Sequence, residues 1–195
     1  MYIQDDAGSI GWNRIPNGIP DRYFSAEERA GETAVTFNDS ITVRIVAFLT
    51  EIGIPVVVES LDSDTLLPAM TVRGGALVID PARLEWPGDL LHEAGHIAVT
   101  DPALRPTLCE VPSDPAEEMA ALAWSYAAAV EIGLDAAVVF HDAGYHGSGP
   151  ALAEGFTAGR YVGVPMLDWF GMTIEGPRAA REGLPAYPVM QRWLR

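Results

Sequence analysis

DLLHEAGHIAV, residues 89–99, decides how the rest of the chain is read. His92 and His96 stand four apart in an apolar run, and Asp101-Pro102 stops a helix there, because the residue before proline avoids helical geometry. Residues four apart on a helix differ by about 40° around the axis and about 6 Å along it, so both imidazoles converge on one point. Glu93 lies about 100° round from His92, too far to share that coordination and near enough to reach water at a metal's open position. Leu90, Leu91, Ile97 and Val99 would anchor such a helix in a core. Gly95 costs about 1 kcal/mol against alanine in a helix interior, which predicts a close neighbour there. The expectation is Zn2+ held by His92 and His96, with Glu93 as general base in amide hydrolysis. The competing expectation is a satisfied histidine pair on a core helix, and a third ligand decides between them.

A catalytic zinc needs three protein ligands and an open position. Val99 and Pro102 occupy the places where the metzincin continuation requires glycine and histidine, so a carboxylate from a following helix is sought instead. Asp114-Pro115 reads as N-cap and first helical residue, and Glu117, three after the cap, completes a capping box. Glu118 is then left to project toward the metal, with Ala121, Leu122 and Ser125 below it on the same face. Glu117 and Glu118 also suit the first turn of any helix as solvated acids, and Glu110 is a further alternative ligand.

Around this core the pattern is mixed. Ile41, Ile45, Phe48, Leu49 and Ile52 recur at helical spacing between NDS, which offers N-cap candidates, and Gly53, a C-terminal stop. IPVVVES reads as a buried strand, and LLPAMTVRGGALVID as two short strands about a Gly-Gly turn. DPAEEMAALAWSYAAAVEIG is a second strong helix, and ALAEGFTAGRYVGVPMLDWFGM one or two more. The fold class expected is α/β in the α+β sense. Its domain spans residues 38–175, between an irregular arm, 1–37, with a short helical turn at SAEERA, and a proline-containing tail, 176–195, packed on the domain or offered to a partner.

FHDAGYHGSG holds the other two histidines, His141 and His146, with Asp142 and Tyr145, in a glycine-rich loop. Tyr145 or His146 there would suit catalysis by donating to the oxyanion, which needs a donor about 3 Å from the developing charge. A surface loop with solvated histidines is the plainer alternative. Arg160 with Tyr161, and Trp169 with Phe170, read as packing and surface residues.

A net charge of −15 and only a thin basic cluster, Arg178, Arg181, Arg192 and Arg195, argue against nucleic acid as a ligand. All twelve basic residues are arginine. The single cysteine, Cys109, excludes an intramolecular disulfide and a multi-cysteine zinc site. The N-terminus lacks a basic, then apolar, leader, and Glu131, Gly133 and Asp135 interrupt the most apolar window, so the expectation is a cytoplasmic protein with no membrane partner.

HEAGH followed by EEMAALAW resembles the zincin metallopeptidases, in the gluzincin arrangement of HExxH and a later helix-borne glutamate. More narrowly, residues 38–133 are similar to the ImmA/IrrE family of minimal bacterial metallopeptidases. In that family the second helix carries a glutamate, an alanine three on and an aromatic six on, matched by Glu118, Ala121 and Trp124. Leu122 departs from the pattern, standing where an Asn or Asp that orients a ligand histidine is common; a backbone carbonyl or Asp142 would have to serve instead. The resemblance implies a zincin-like minimal domain, a small sheet packed on the HExxH helix, and a zinc peptidase acting on a peptide or protein substrate, often a regulatory protein. The alternative is a zinc-binding regulatory or protein-interaction module without peptidase activity.

Overall fold

Asp39 opens the first helix: its carboxylate accepts from the backbone N–H of Ile41 at 3.3 Å and of Thr42 at 2.8 Å, and α1 runs Ser40–Glu51. A computed structural model describes residues 37, 39–62, 69–109 and 114–195. The expected arm over residues 1–36, the start of the hairpin and Glu110 lie outside the described residues. The face of α1 carrying Ile45, Val46, Phe48 and Leu49 is buried, as the 3.6-residue period requires.

Three short strands follow, β1 (Val56–Val58), β2 (Met70–Arg73) and β3 (Ala76–Ile79), in the order β1-β3-β2. β1 runs parallel to β3, with Val57 opposite Val78, and β2 runs antiparallel to it, with Val72 opposite Leu77. A two-residue hairpin turn of this kind needs positive φ at both positions, which Gly74 and Gly75 supply at 60° and 75°. All four residues of the central strand β3 are buried.

α2 (Asp89–Val99) packs on β2 and β3 and, more extensively, on α3 (Pro115–Glu131). Asp114 caps α3, accepting from Ala116 N–H at 2.8 Å. Four shorter helices complete the described chain: α4 (Ala136–Val139), α5 (Gly149–Thr157), α6 (Val164–Trp169) and α7 (Gly176–Glu182). The described residues thus form a mixed α+β fold of seven helices and one three-stranded sheet. No described helix is long and apolar enough to cross a membrane.

The last twenty residues pack on the domain, beginning as the helix α7. Trp193 lies edge-on to Phe48 and Trp124, and its carbonyl accepts from the Trp124 indole at 2.9 Å. The Tyr187 hydroxyl reaches Ala123 O at 2.9 Å. Three of the four C-terminal arginines are engaged internally: Arg178 pairs with Asp168, Arg192 donates to Phe170 O, and Arg195 lies over the Phe170 ring.

Candidate metal centre

The centre forms where α3 crosses α2. A Cβ on Gly95 would meet Ala121 O at 3.0 Å and Ala121 Cα at 3.2 Å, so the missing side chain lets the two backbones approach. This is the close neighbour the glycine implied. Glu118, one turn before Ala121 on the same face of α3, is thereby brought over the two histidines of α2.

His92 Nε2 and His96 Nε2 stand 3.2 Å apart. One carboxylate oxygen of Glu118 lies 3.5 Å from His92 Nε2, and the other 3.2 Å from His96 Nε2. The three residues are the group among the described residues whose donor atoms could hold a metal ion. His96 is only 2% exposed, whereas 45% of the Glu118 side chain is, so the triangle is buried on one side and open on the other. The N-cap and the placement of Glu118 beside both histidines agree with the sequence reading, although Asp114 bonds to Ala116 N–H and no reciprocal bond from Glu117 occurs among the described residues.

The electrostatics fit a cation at this point. Burial, and then the neighbouring His96, push His92 down to about 4 against the pull of Glu118, leaving the neutral ring that a metal requires. Hydrogen bonding to His96 holds the Glu118 carboxyl below the usual carboxylate range, against the opposing effect of burial. Glu93 stands outside the triangle. Burial raises its pKa, with Asp89 and Glu118 reinforcing the effect and His96 opposing it.

The glycine-rich loop divides the two candidate oxyanion donors. Tyr145 sets its ring edge-on to His92, 5.5 Å between centroids, and its buried hydroxyl has no partner. Burial raises its pKa well above the ordinary tyrosine value, so the hydroxyl stays a donor. His146 is exposed, and the structure does not bring it into the cluster. Both residues hold left-handed backbone, φ 55° and 53°, a conformation that costs on the order of 1–3 kcal/mol for a non-glycine residue.

Two expectations about the surroundings change. Asp142 is exposed and neither ligand histidine uses a backbone carbonyl: Nδ1 of His92 and Nδ1 of His96 are buried without partners. His141, by contrast, bonds through Nε2 to Asp89 Oδ1 at 2.9 Å and stacks on Trp86 with centroids 4.4 Å apart. Sequence reading missed Asp89 and Trp86 as its partners. No local pattern joins His141 to a residue 52 positions earlier. No protein-family model matches the chain, and neither a curated protein nor a solved structure matches it significantly.

Proposed function

We propose that this chain is a zinc-dependent metallopeptidase of the zincin type, with His92, His96 and Glu118 as ligands and Glu93 as general base. The observation that carries the reading is the cluster of two imidazole nitrogens 3.2 Å apart with one Glu118 oxygen 3.5 Å from the first and the other 3.2 Å from the second. Donors about 2.0–2.1 Å from a tetrahedral ion stand roughly 3.3 Å from one another, and a two-nitrogen, one-carboxylate set suits zinc better than the oxygen-seeking calcium or magnesium. Three protein ligands on one side with the other side open is the catalytic arrangement, since structural zinc sites are closed by a fourth protein ligand.

Bound zinc would supply Lewis-acid chemistry, acidifying water at the open position and polarising the scissile carbonyl. Glu93, its pKa raised by burial, takes a proton from the attacking water and delivers it to the leaving amine nitrogen as the C–N bond breaks. Tyr145, neutral and unpartnered, donates its hydroxyl hydrogen to the carbonyl oxygen as charge develops. A new carboxylate and a free amine result. The likeness of HEAGH and its second helix to the ImmA/IrrE peptidases makes a regulatory protein the substrate of first choice, and a cytoplasmic setting goes with it.

One observation favours the rival reading, a zinc-binding regulatory or interaction module. Ligand histidines usually donate Nδ1–H to a partner that fixes the ring, and here neither does. Metal analysis and one variant separate the two. The purified protein should carry about one zinc per chain, lost when His92 and Glu118 are replaced together by alanine. Glu93→Gln should keep the zinc and abolish cleavage of a peptide library read by mass spectrometry. Zinc retained by the double variant would remove the site, and cleavage undiminished in Glu93→Gln would remove the mechanism.

A further inference from the structure

Beside the first turn of α2 lies a cavity of about 580 Å³, bounded by α1, the 81–87 segment, α4 and His141. Ile41, Leu84, Trp86 and Val138 give it apolar walls. Among the described residues its charged side chains, Asp39 and Glu85, are both carboxylates, and no arginine lines it. Thr42 directs its hydroxyl hydrogen to Asp39 at 2.8 Å.

His141 forms part of the wall, stacked against Trp86. It is 7% exposed and lines the cavity. A carboxylate only accepts, so the hydrogen between His141 Nε2 and Asp89 Oδ1 belongs to the imidazole. In the neutral ring Nδ1 is then an acceptor, and it is buried with no partner. Trp86, stacked on His141 with planes 2° apart, is 38% exposed and borders the same space. Asp39 is already occupied by three donors of α1, so charge recognition falls to the exposed Glu85.

Apolar walls for a stem, an indole for a cation to approach and a carboxylate describe one chemical class. We propose that this cavity is a specificity pocket for an arginine or lysine side chain of the polypeptide substrate, seated on Trp86 with its head toward Glu85. The link to the metal centre is short: His141 holds Asp89, and Asp89 lies one helical turn before Glu93 on α2. The chain's net charge of −15 acts in the same direction, favouring encounter with basic partners. The inference rests on the peptidase reading for the word substrate, and the binding itself can be measured apart from it.

The test uses zinc-loaded, isotope-labelled Glu93→Gln protein and the blocked peptide acetyl-Ala-Ala-Arg-Ala-Ala-amide, with lysine, norleucine and glutamate at the centre as comparisons. Nuclear magnetic resonance follows the Trp86 indole N–H and the His141 ring. Arginine and lysine peptides should shift both signals saturably, with norleucine at least about tenfold weaker and Glu85→Gln protein losing about that preference. No saturable shift, or norleucine as tight as arginine, overturns the pocket. Cleavage of the same peptides by the unsubstituted protein keeps the two ideas apart. Binding of arginine without cleavage upholds the pocket while sinking the peptidase; cleavage blind to the central residue, with no shift, does the reverse.

Discussion

At the C-terminal end of α2 every backbone carbonyl from His96 to Thr100 has a donor outside the helix ladder, whereas along its metal-facing side three buried polar atoms have none. Thr100 Oγ1 serves His96 O at 2.7 Å. Arg105 serves Ile97 O, Ala98 O and Thr100 O at 2.9, 3.3 and 3.1 Å, and Arg195 reaches Val99 O at 3.3 Å. Arg105 also holds the Arg195 carbonyl at 3.1 Å, tying the C-terminal strap to the helix. The unpartnered atoms are Nδ1 of His92, Nδ1 of His96 and the Tyr145 hydroxyl. The backbone at the C-terminal end is finished for stability; the face carrying His92 and His96 is left with groups that something else must satisfy, which is the condition of a binding or catalytic site.

Breaking the finished end should have the largest effect on stability. Arg105→Ala strips donors from three helix carbonyls and from the strap, and charged hydrogen bonds contribute about 1.5 kcal/mol or more each. A loss of about 4 kcal/mol is expected in urea denaturation. Zinc affinity of the still-folded fraction should change little, because Arg105 touches only backbone carbonyls of α2 and none of the His92, His96 and Glu118 side chains. A loss below about 1 kcal/mol would mean that water replaces the guanidinium without cost and that the comparison between the two regions is empty.

Acid should act on the metal-facing side. In the metal-free protein His92 titrates at about 4 in place of the ordinary 6.5, because burial and His96 disfavour its charge. As pH falls from about 6.5 to about 4 the unfolded chain takes up a proton that the folded chain refuses. The His92 contribution should therefore decrease by on the order of 3 kcal/mol across that window, opposed in part by Glu93, whose raised pKa lets the folded chain take up a proton first, and followed below it by loss of the Glu118 contribution. His92→Gln should flatten the slope; Arg105→Ala should leave it intact. Equal slopes in all three proteins would place the acid sensitivity elsewhere.

Much of the framework was legible because its signals are local. A capping aspartate, an apolar stripe and Gly53 bound α1; two adjacent glycines mark the hairpin; the His–His spacing brings two imidazoles together on one face. Glu118 was reached through helix-start chemistry, and the N-cap at Asp114 holds although the reciprocal bond from Glu117 is absent. What escaped is carried by contacts between distant positions. Trp193 completes an aromatic cluster with Phe48 and Trp124, α7 interrupts what read as a plain tail, and the Trp86–His141–Asp89 unit joins three segments. None of these has a periodicity to reveal it. His146 and Tyr145 look equivalent in sequence, yet only the tyrosine turns to the metal ligands.

The smallest effect on stability is expected where the largest functional consequence is, at the Tyr145 hydroxyl. Tyr145→Phe removes one buried oxygen that has no partner and leaves the ring contacts with His92 and Phe140, both 5.5 Å between centroids. Deleting an unsatisfied polar atom relieves a desolvation cost, so stability should stay level or rise by about 1 kcal/mol. Zinc content should be unchanged. Hydrolysis should fall by about 10²-fold, mainly in kcat, since the hydroxyl is needed only as the oxyanion forms. The strained backbone at Tyr145 and His146 fits this division, because a conformation that costs energy persists only when its surroundings enforce it. Here Ser148 Oγ bonds Tyr145 O at 2.6 Å, and Gly147 N–H bonds Gly144 O at 3.0 Å, locking the turn that aims the ring. A variant that loses stability by more than about 1 kcal/mol would show that the hydroxyl already has a partner in the folded protein. One that hydrolyses at the original rate would show that the turn aims the ring for packing alone.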